Sequence, residues 1–155
     1  MNASAQLTLC LSETLGNWAV VMEPNTIATE PIHVLFVEDE FLISEWVSQS
    51  LSEQGFEVQT VSNAADALKH LASVAVDVLF TDINLPGGMD GAALARRARE
   101  MRPHLPVIYA SARATLLKQD ARVPGSIVVP KPYEPELVGR LLTAATRAAS
   151  GALPA

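Results

Sequence analysis

From Pro31 onward the chain repeats one unit, a short apolar run followed by an amphipathic stretch, five times over. No other feature constrains the fold as tightly. Strands joined in succession by helices run parallel, and a parallel sheet needs helices on both faces. "IHVLFV" (32–37) is continuously apolar, as a strand buried on both sides must be. A helix is expected over 40–54, with Ile43, Trp46, Val47 and Leu51 on one face and Gly55 as its stop. "FEVQTV" (56–61) alternates like a half-exposed strand. The next helix opens at Asn63, with Asp66 placed to complete a cap and Leu68 and Leu71 pointing inward. "VDVLFTD" (76–82) is the third strand, and its helix over 91–101 carries Leu94, Ala98 and Met101 at helical spacing. "LPVIYA" (105–110) and "SIVV" (126–129) supply the fourth and fifth strands. The last helix starts near Glu134 with Pro135 in its first turn and buries Leu137, Val138, Leu141 and Leu142.

One crossover departs from the pattern. "SARATLLKQDARVPGS" (111–126) has only Leu116 and Leu117 as an apolar stripe before Pro124 and Gly125. Its helix, the fourth, is expected to be short or partly disordered, because two turns do not hold without tertiary packing.

The rest of the chain bounds the class. With 49% apolar and 18% charged residues it is globular in composition. Residues 31–150 are expected to form one domain, preceded by a poorly ordered or loosely docked leader (1–30) and followed by a short tail (151–155). "LTLCLSETLGNWAVVM" (7–22) lacks a positive n-region and is interrupted by Glu13 and Asn17, so it is read neither as a secretory signal nor as a membrane anchor. Met22 is an alternative natural start. The single Cys10 allows no internal disulfide, which fits a reducing, cytoplasmic home. A net charge of -6 argues against nucleic acid as a direct partner. After Ala149 only "SGALPA" remains, so no output module is expected in this chain.

In an open parallel sheet, functional residues gather beyond the carboxyl ends of the strands. The first strand ends in Glu38-Asp39-Glu40, the third in Asp82 and the fourth in Ser111, while the fifth runs into Lys131-Pro132. Taken singly, each has a plain structural reading: acids at a helix N-terminus, a loop hydroxyl, a surface lysine. Together they put carboxylates, a hydroxyl and an ammonium at one rim. Glu38, Asp39 and Asp82 repel one another unless a hard cation sits among them, and Mg²⁺ suits such a site because it takes one or two carboxylates and keeps waters. Asp82 is then a plausible nucleophile for a phosphoryl group, with Lys131 and the metal neutralising the charge on the transferring oxygens. The Pro86-Gly87-Gly88 loop beside it leaves the backbone open to a donor.

"VLFVEDE", "DINLPGGMDG", "YASA" and "PKPY", in this order over residues 31–150, resemble the receiver domain of two-component response regulators. The fold expected is then a flavodoxin-like, doubly wound α/β sheet of strand order 2-1-3-4-5. The resemblance implies Mg²⁺ held by Asp39, Asp82 and the backbone carbonyl of Asn84, with Glu38 contributing directly or through water. It implies phosphorylation of Asp82 by the phosphohistidine of a sensor histidine kinase or a histidine phosphotransfer protein. It further implies that Ser111 moves to the phosphoryl group, that Lys131 pairs with it, and that the bond to Pro132 is cis. Such a chain is a signalling module rather than an enzyme. Three departures stand out. The phosphoacceptor loop has an extra glycine, displacing Met89, Asp90 and Gly91 by one. The position usually held by a switch aromatic is Val128, which leaves Tyr109 or Tyr133 as the readout. The fourth helix is truncated.

Three other functions compete. An aspartate-nucleophile phosphatase wants a carboxylate two residues after the nucleophile, where this chain has Asn84. A flavin carrier needs hydroxyls and backbone donors after the first strand, where this chain is acidic. A degenerate, phosphorylation-independent receiver would lack the acceptor, the acid pair or the lysine, and all are present.

Overall fold

The computed structural model of the protein describes residues 29–151. The expectations for the leader, for Cys10 and Met22, and for the tail beyond Gly151 concern residues outside these. Five parallel strands form one sheet in the order β2-β1-β3-β4-β5. They are β1 (His33–Val37), β2 (Glu57–Val61), β3 (Val78–Asp82), β4 (Val107–Ser111) and β5 (Ile127–Pro130). The α-helices are α1 (Phe41–Glu53), α2 (Ala64–Ser73), α3 (Gly91–Met101) and α4 (Pro135–Ala149). Every residue of β3 and β4 is buried, which is why these runs carry no polar alternation.

The sheet separates two apolar layers. On one side Leu35, Val37, Leu79 and Tyr109 pack with Leu71, Leu94, Ala98 and Val123. On the other, Phe36, Phe80 and Ile108 pack with Val47, Leu51, Val138 and Leu142, and Phe36 and Phe80 stack with ring centroids 4.8 Å apart. The Asn63 cap forms in both directions expected of it: its Oδ1 accepts from the Asp66 N–H at 2.9 Å, and its Nδ2 donates to Asp66 Oδ2 at 2.9 Å.

Three expected inward residues face outward. Trp46 is 53% exposed, because the buried stripe of α1 runs through Ser44, Val47 and Leu51, and position 46 lies well off that line. Met101, the last residue of α3, is 44% exposed, past the buried stripe that ends at Ala98. Leu137 is 39% exposed beside the buried Val138 of α4.

The fourth crossover contains no α-helix. It makes two single 3₁₀ turns, Ala114–Leu116 and Gln119–Ala121. Leu116 is exposed, and the apolar anchor is Val123 instead. Polar bonds complete the attachment. Arg96 Nη1 donates to the Ala121 carbonyl at 3.1 Å, Arg99 Nη2 to the Pro124 carbonyl at 3.0 Å, and the Val123 N–H to the Tyr109 hydroxyl at 3.2 Å.

Candidate functional site

The parallel register brings four strand ends to one rim. β1 runs straight into Glu38, whose N–H donates to the Val61 carbonyl of β2 at 3.1 Å. β3 ends on Asp82, paired with Ala110 of β4, and Ser111 pairs with Pro130 of β5. The Lys131 N–H donates to the Ser111 carbonyl at 2.9 Å, which fixes the lysine beside the fourth strand. The Lys131–Pro132 peptide bond is cis.

One carboxylate oxygen from each of Glu38, Asp39 and Asp82 lies within 4.8 Å of the other two. Asp39 is exposed, while the side chains of Glu38 and Asp82 are 0% and 9% exposed. Lys131 spans the buried pair, with Nζ 2.6 Å from Asp82 Oδ2 and 3.1 Å from Glu38 Oε2. Glu38 Oε1 accepts from the Glu40 N–H at 3.2 Å, and Asp82 Oδ1 from the Asn84 N–H at 3.0 Å. Burial pushes the Glu38 carboxyl above the usual carboxylate range, against the lowering effect of the Glu40 N–H and Lys131; the charge of Asp82 adds to the rise. Desolvation works to lower the pKa of Lys131, but the bonds and charges of Asp82, then Glu38, outweigh it, so the ammonium is held above its ordinary value.

The other expected site residues are placed as follows. Asn84 is exposed at the mouth of the loop. Ser111 is buried, and its Oγ accepts from the Arg113 N–H at 3.1 Å rather than bonding Asp82 or Lys131. Tyr109 is fully buried on the side of the sheet that carries Val123, with Val128 packed against the same cluster. Tyr133 is buried on the opposite side, its ring edge-on to Phe80 at 5.6 Å.

Three features of the site go beyond what the sequence indicated. Gly87 and Gly88 have φ of +91° and +86°, a conformation that L side chains rarely adopt, so the loop beside Asp82 requires both. Gly91 opens α3 pressed against Asp82: an added Cβ would run into the Asp82 carbonyl oxygen and lie 3.0 Å from Ile83 Cα. The signal for it is legible only as an Asp-Gly step in which Asp90 caps the helix. Phe41, Leu42 and Trp46 stand exposed on α1, the helix that follows the acids in the chain, and Phe41 shares a cleft of about 420 Å³ with Glu38, Asp39 and Asp66.

The sequence pattern of the response regulator receiver domain matches residues 34–142. The chain belongs to this family. Among curated relatives, this receiver is similar to the transcriptional regulatory protein TctD of Salmonella typhimurium, at 34% identity over 77% of this chain and 54% of that one. It thus spans about half the length of that relative. Among solved structures it resembles a response regulator receiver protein from Sinorhizobium medicae, at 31% identity and a TM-score of 0.73, covering 77% of this chain and 98% of that one. The receiver domain of the sensor histidine kinase PA1611 from Pseudomonas aeruginosa, solved with a magnesium ion in its active-site cleft, shares the fold at 21% identity and a TM-score of 0.68, over 75% and 98% of the two chains. Receivers of this family are phosphorylation-dependent signalling modules of two-component systems. In this one, no described helix is long and apolar enough to cross a membrane.

Proposed function

We propose that this receiver takes a phosphoryl group onto Asp82 from the phosphohistidine of a sensor histidine kinase or a histidine phosphotransfer protein, and signals by docking a partner or passing the group on. One observation carries the reading: a single, partly buried ammonium spans the acceptor Asp82 and the buried Glu38 at one rim, with a third carboxylate beside them. The donor set fits Mg²⁺, being hard oxygens open on the Asp39 side. Glu38, Asp39, Asp82 and the Asn84 carbonyl would hold the ion, which when bound supplies positive charge against the phosphoryl oxygens.

In the transfer, an Asp82 carboxylate oxygen attacks phosphorus while the phosphorus–nitrogen bond breaks. The electron pair goes to the imidazole nitrogen, which takes a proton, and an acyl phosphate remains. Lys131 is already beside the acceptor and can follow the new charge, and Ser111 is one pleat away on the neighbouring strand. The apolar side chains of Phe41, Leu42 and Trp46, exposed on the helix that follows the acids, support a protein donor rather than a small one alone.

Acetyl phosphate with Mg²⁺ should label Asp82 alone, read by mass spectrometry, and Asp82→Asn should carry no label. Undiminished labelling of that variant would move the acceptor elsewhere.

A further inference from the structure

Tyr133 carries the one buried side-chain polar atom among the described residues that has no hydrogen-bond partner, its hydroxyl oxygen. An unmade bond of this kind is costly in the resting state and asks for a reason. A phenylalanine would fill the same space without the cost. The surroundings supply a reason. Phe80, which Tyr133 meets edge-on, lies two residues before Asp82 on β3, and Phe36, stacked on Phe80, lies two residues before Glu38 on β1. Side chains two apart share a face of the sheet, so the three rings form a floor one pleat, roughly 6–7 Å, beneath the two buried carboxylates. Tyr133 is also tied to the lysine, two residues along the chain across the cis peptide. Burial, then the charges of Glu38 and Asp82, holds its hydroxyl protonated, so it is a permanent donor in the field of both acids.

Loading the pocket changes the demand. With a phosphoryl group on Asp82, the larger charge there would draw Lys131 away from its 3.1 Å bond to Glu38. Glu38, with no exposed side-chain surface, would then keep the Glu40 N–H and the bound ion but lack its ammonium partner. We propose that Tyr133 is a positioning residue that donates its hydroxyl hydrogen bond to the Glu38 carboxylate, directly or through one water, in the phosphorylated state, and so stabilises that state over the resting one. The inference rests on the phosphoacceptor reading above.

The test is Tyr133→Phe, studied in the full chain with beryllofluoride and Mg²⁺ as the mimic of the loaded state. Unloaded, the variant should melt at the same temperature as the parent or higher, since only an unpaired hydroxyl is lost. Loaded, it should bind beryllofluoride about tenfold more weakly, the ratio that roughly one hydrogen bond to a charged group is worth, and its acyl phosphate should have an altered lifetime. A merely structural tyrosine would move both states alike. An unloaded variant less stable than the parent overturns the proposal, because the hydroxyl would then have a resting partner. Unchanged beryllofluoride affinity and lifetime overturn it as well. Should the parent itself take up neither beryllofluoride nor phosphoryl, the acceptor assignment falls, and the role of Tyr133 falls with it.

Discussion

The glycine at the mouth of α3 exerts more control over the acceptor than its size suggests. Gly91 is packed on the backbone of Asp82 and Ile83, neither of which can step aside. Gly91→Ala should lower stability by about 2 kcal/mol or more, a fall in melting temperature of roughly 6–12 °C, and should slow phosphorylation by displacing Asp82. Gly139→Ala is the matched control. There the added methyl meets side chains only, the Gln54 amide and, at 3.3 Å, the Phe56 ring. Moving the amide gives up its bonds to the Ser50 and Pro135 carbonyls but leaves the backbone in place, so thermal melting should show a smaller fall than for Gly91→Ala. A second residue-scale expectation concerns the donor. The double variant Leu42→Ala, Trp46→Ala should reduce transfer from a phosphohistidine protein by about tenfold or more, as expected for exposed apolar anchors at an interface. Labelling by acetyl phosphate should stay unchanged; an equal loss with both donors would place these residues in the pocket rather than at a docking surface. At this scale the acids and Lys131 were legible because each terminates a strand, and strand ends follow from apolar runs. The Gly91 contact and the orphaned Tyr133 hydroxyl were not, since neither leaves a trace in periodicity.

The fourth crossover shows what a sequence pattern can and cannot say about an element. The scarcity of apolar residues over 112–125 foretold a truncated helix, and two 3₁₀ turns stand there. The pattern did not foretell what holds the segment, because arginine-to-carbonyl bonds have no spacing signature. Arg96 and Arg99 grip Ala121 and Pro124, and Tyr109 grips Val123, so the second half of the segment is fastened while Ala112 to Lys118 has no such ties. Hydrogen exchange with and without beryllofluoride and Mg²⁺ should show new protection in the first half, where Arg113 already bonds Ser111 Oγ, and little change near Val123. Protection gained instead over 121–125 would contradict this division. The helices teach a related lesson. Apolar residues are not by themselves inward residues: Trp46, Met101 and Leu137 were assigned by hydrophobicity, whereas burial follows the angular position around the axis.

Over the whole molecule, the buried charges of the rim tie stability to pH in a defined sense. Glu38 has its folded pKa raised above the ordinary 4.5, so its native state holds a proton more firmly than the unfolded chain does. Its contribution is present below 4.5 and is lost as pH rises through the folded value. Lys131 is raised above the ordinary 10.5, so its contribution persists below that value and is lost only as pH climbs past the folded one. Denaturant unfolding of the parent and of Glu38→Gln, compared from about pH 4 to 8, should give a difference in stability that moves against the parent as pH rises above 4.5 and then levels off. A difference that moves in the parent's favour over that window would reverse the assigned sign.

The sheet itself has a further consequence. Ser111 and Tyr109 stand on the same face of β4, and Tyr109 belongs to the layer that carries the fourth crossover; Tyr133 follows Lys131 and belongs to the layer built by α1 and α4. The strands between these layers are a partition. A charge arriving at the rim therefore has two mechanical outlets that do not communicate through side-chain packing, one behind each face. A receiver wired in this way could address two different listeners at once, and a substitution that silences one could leave the other fully in hearing.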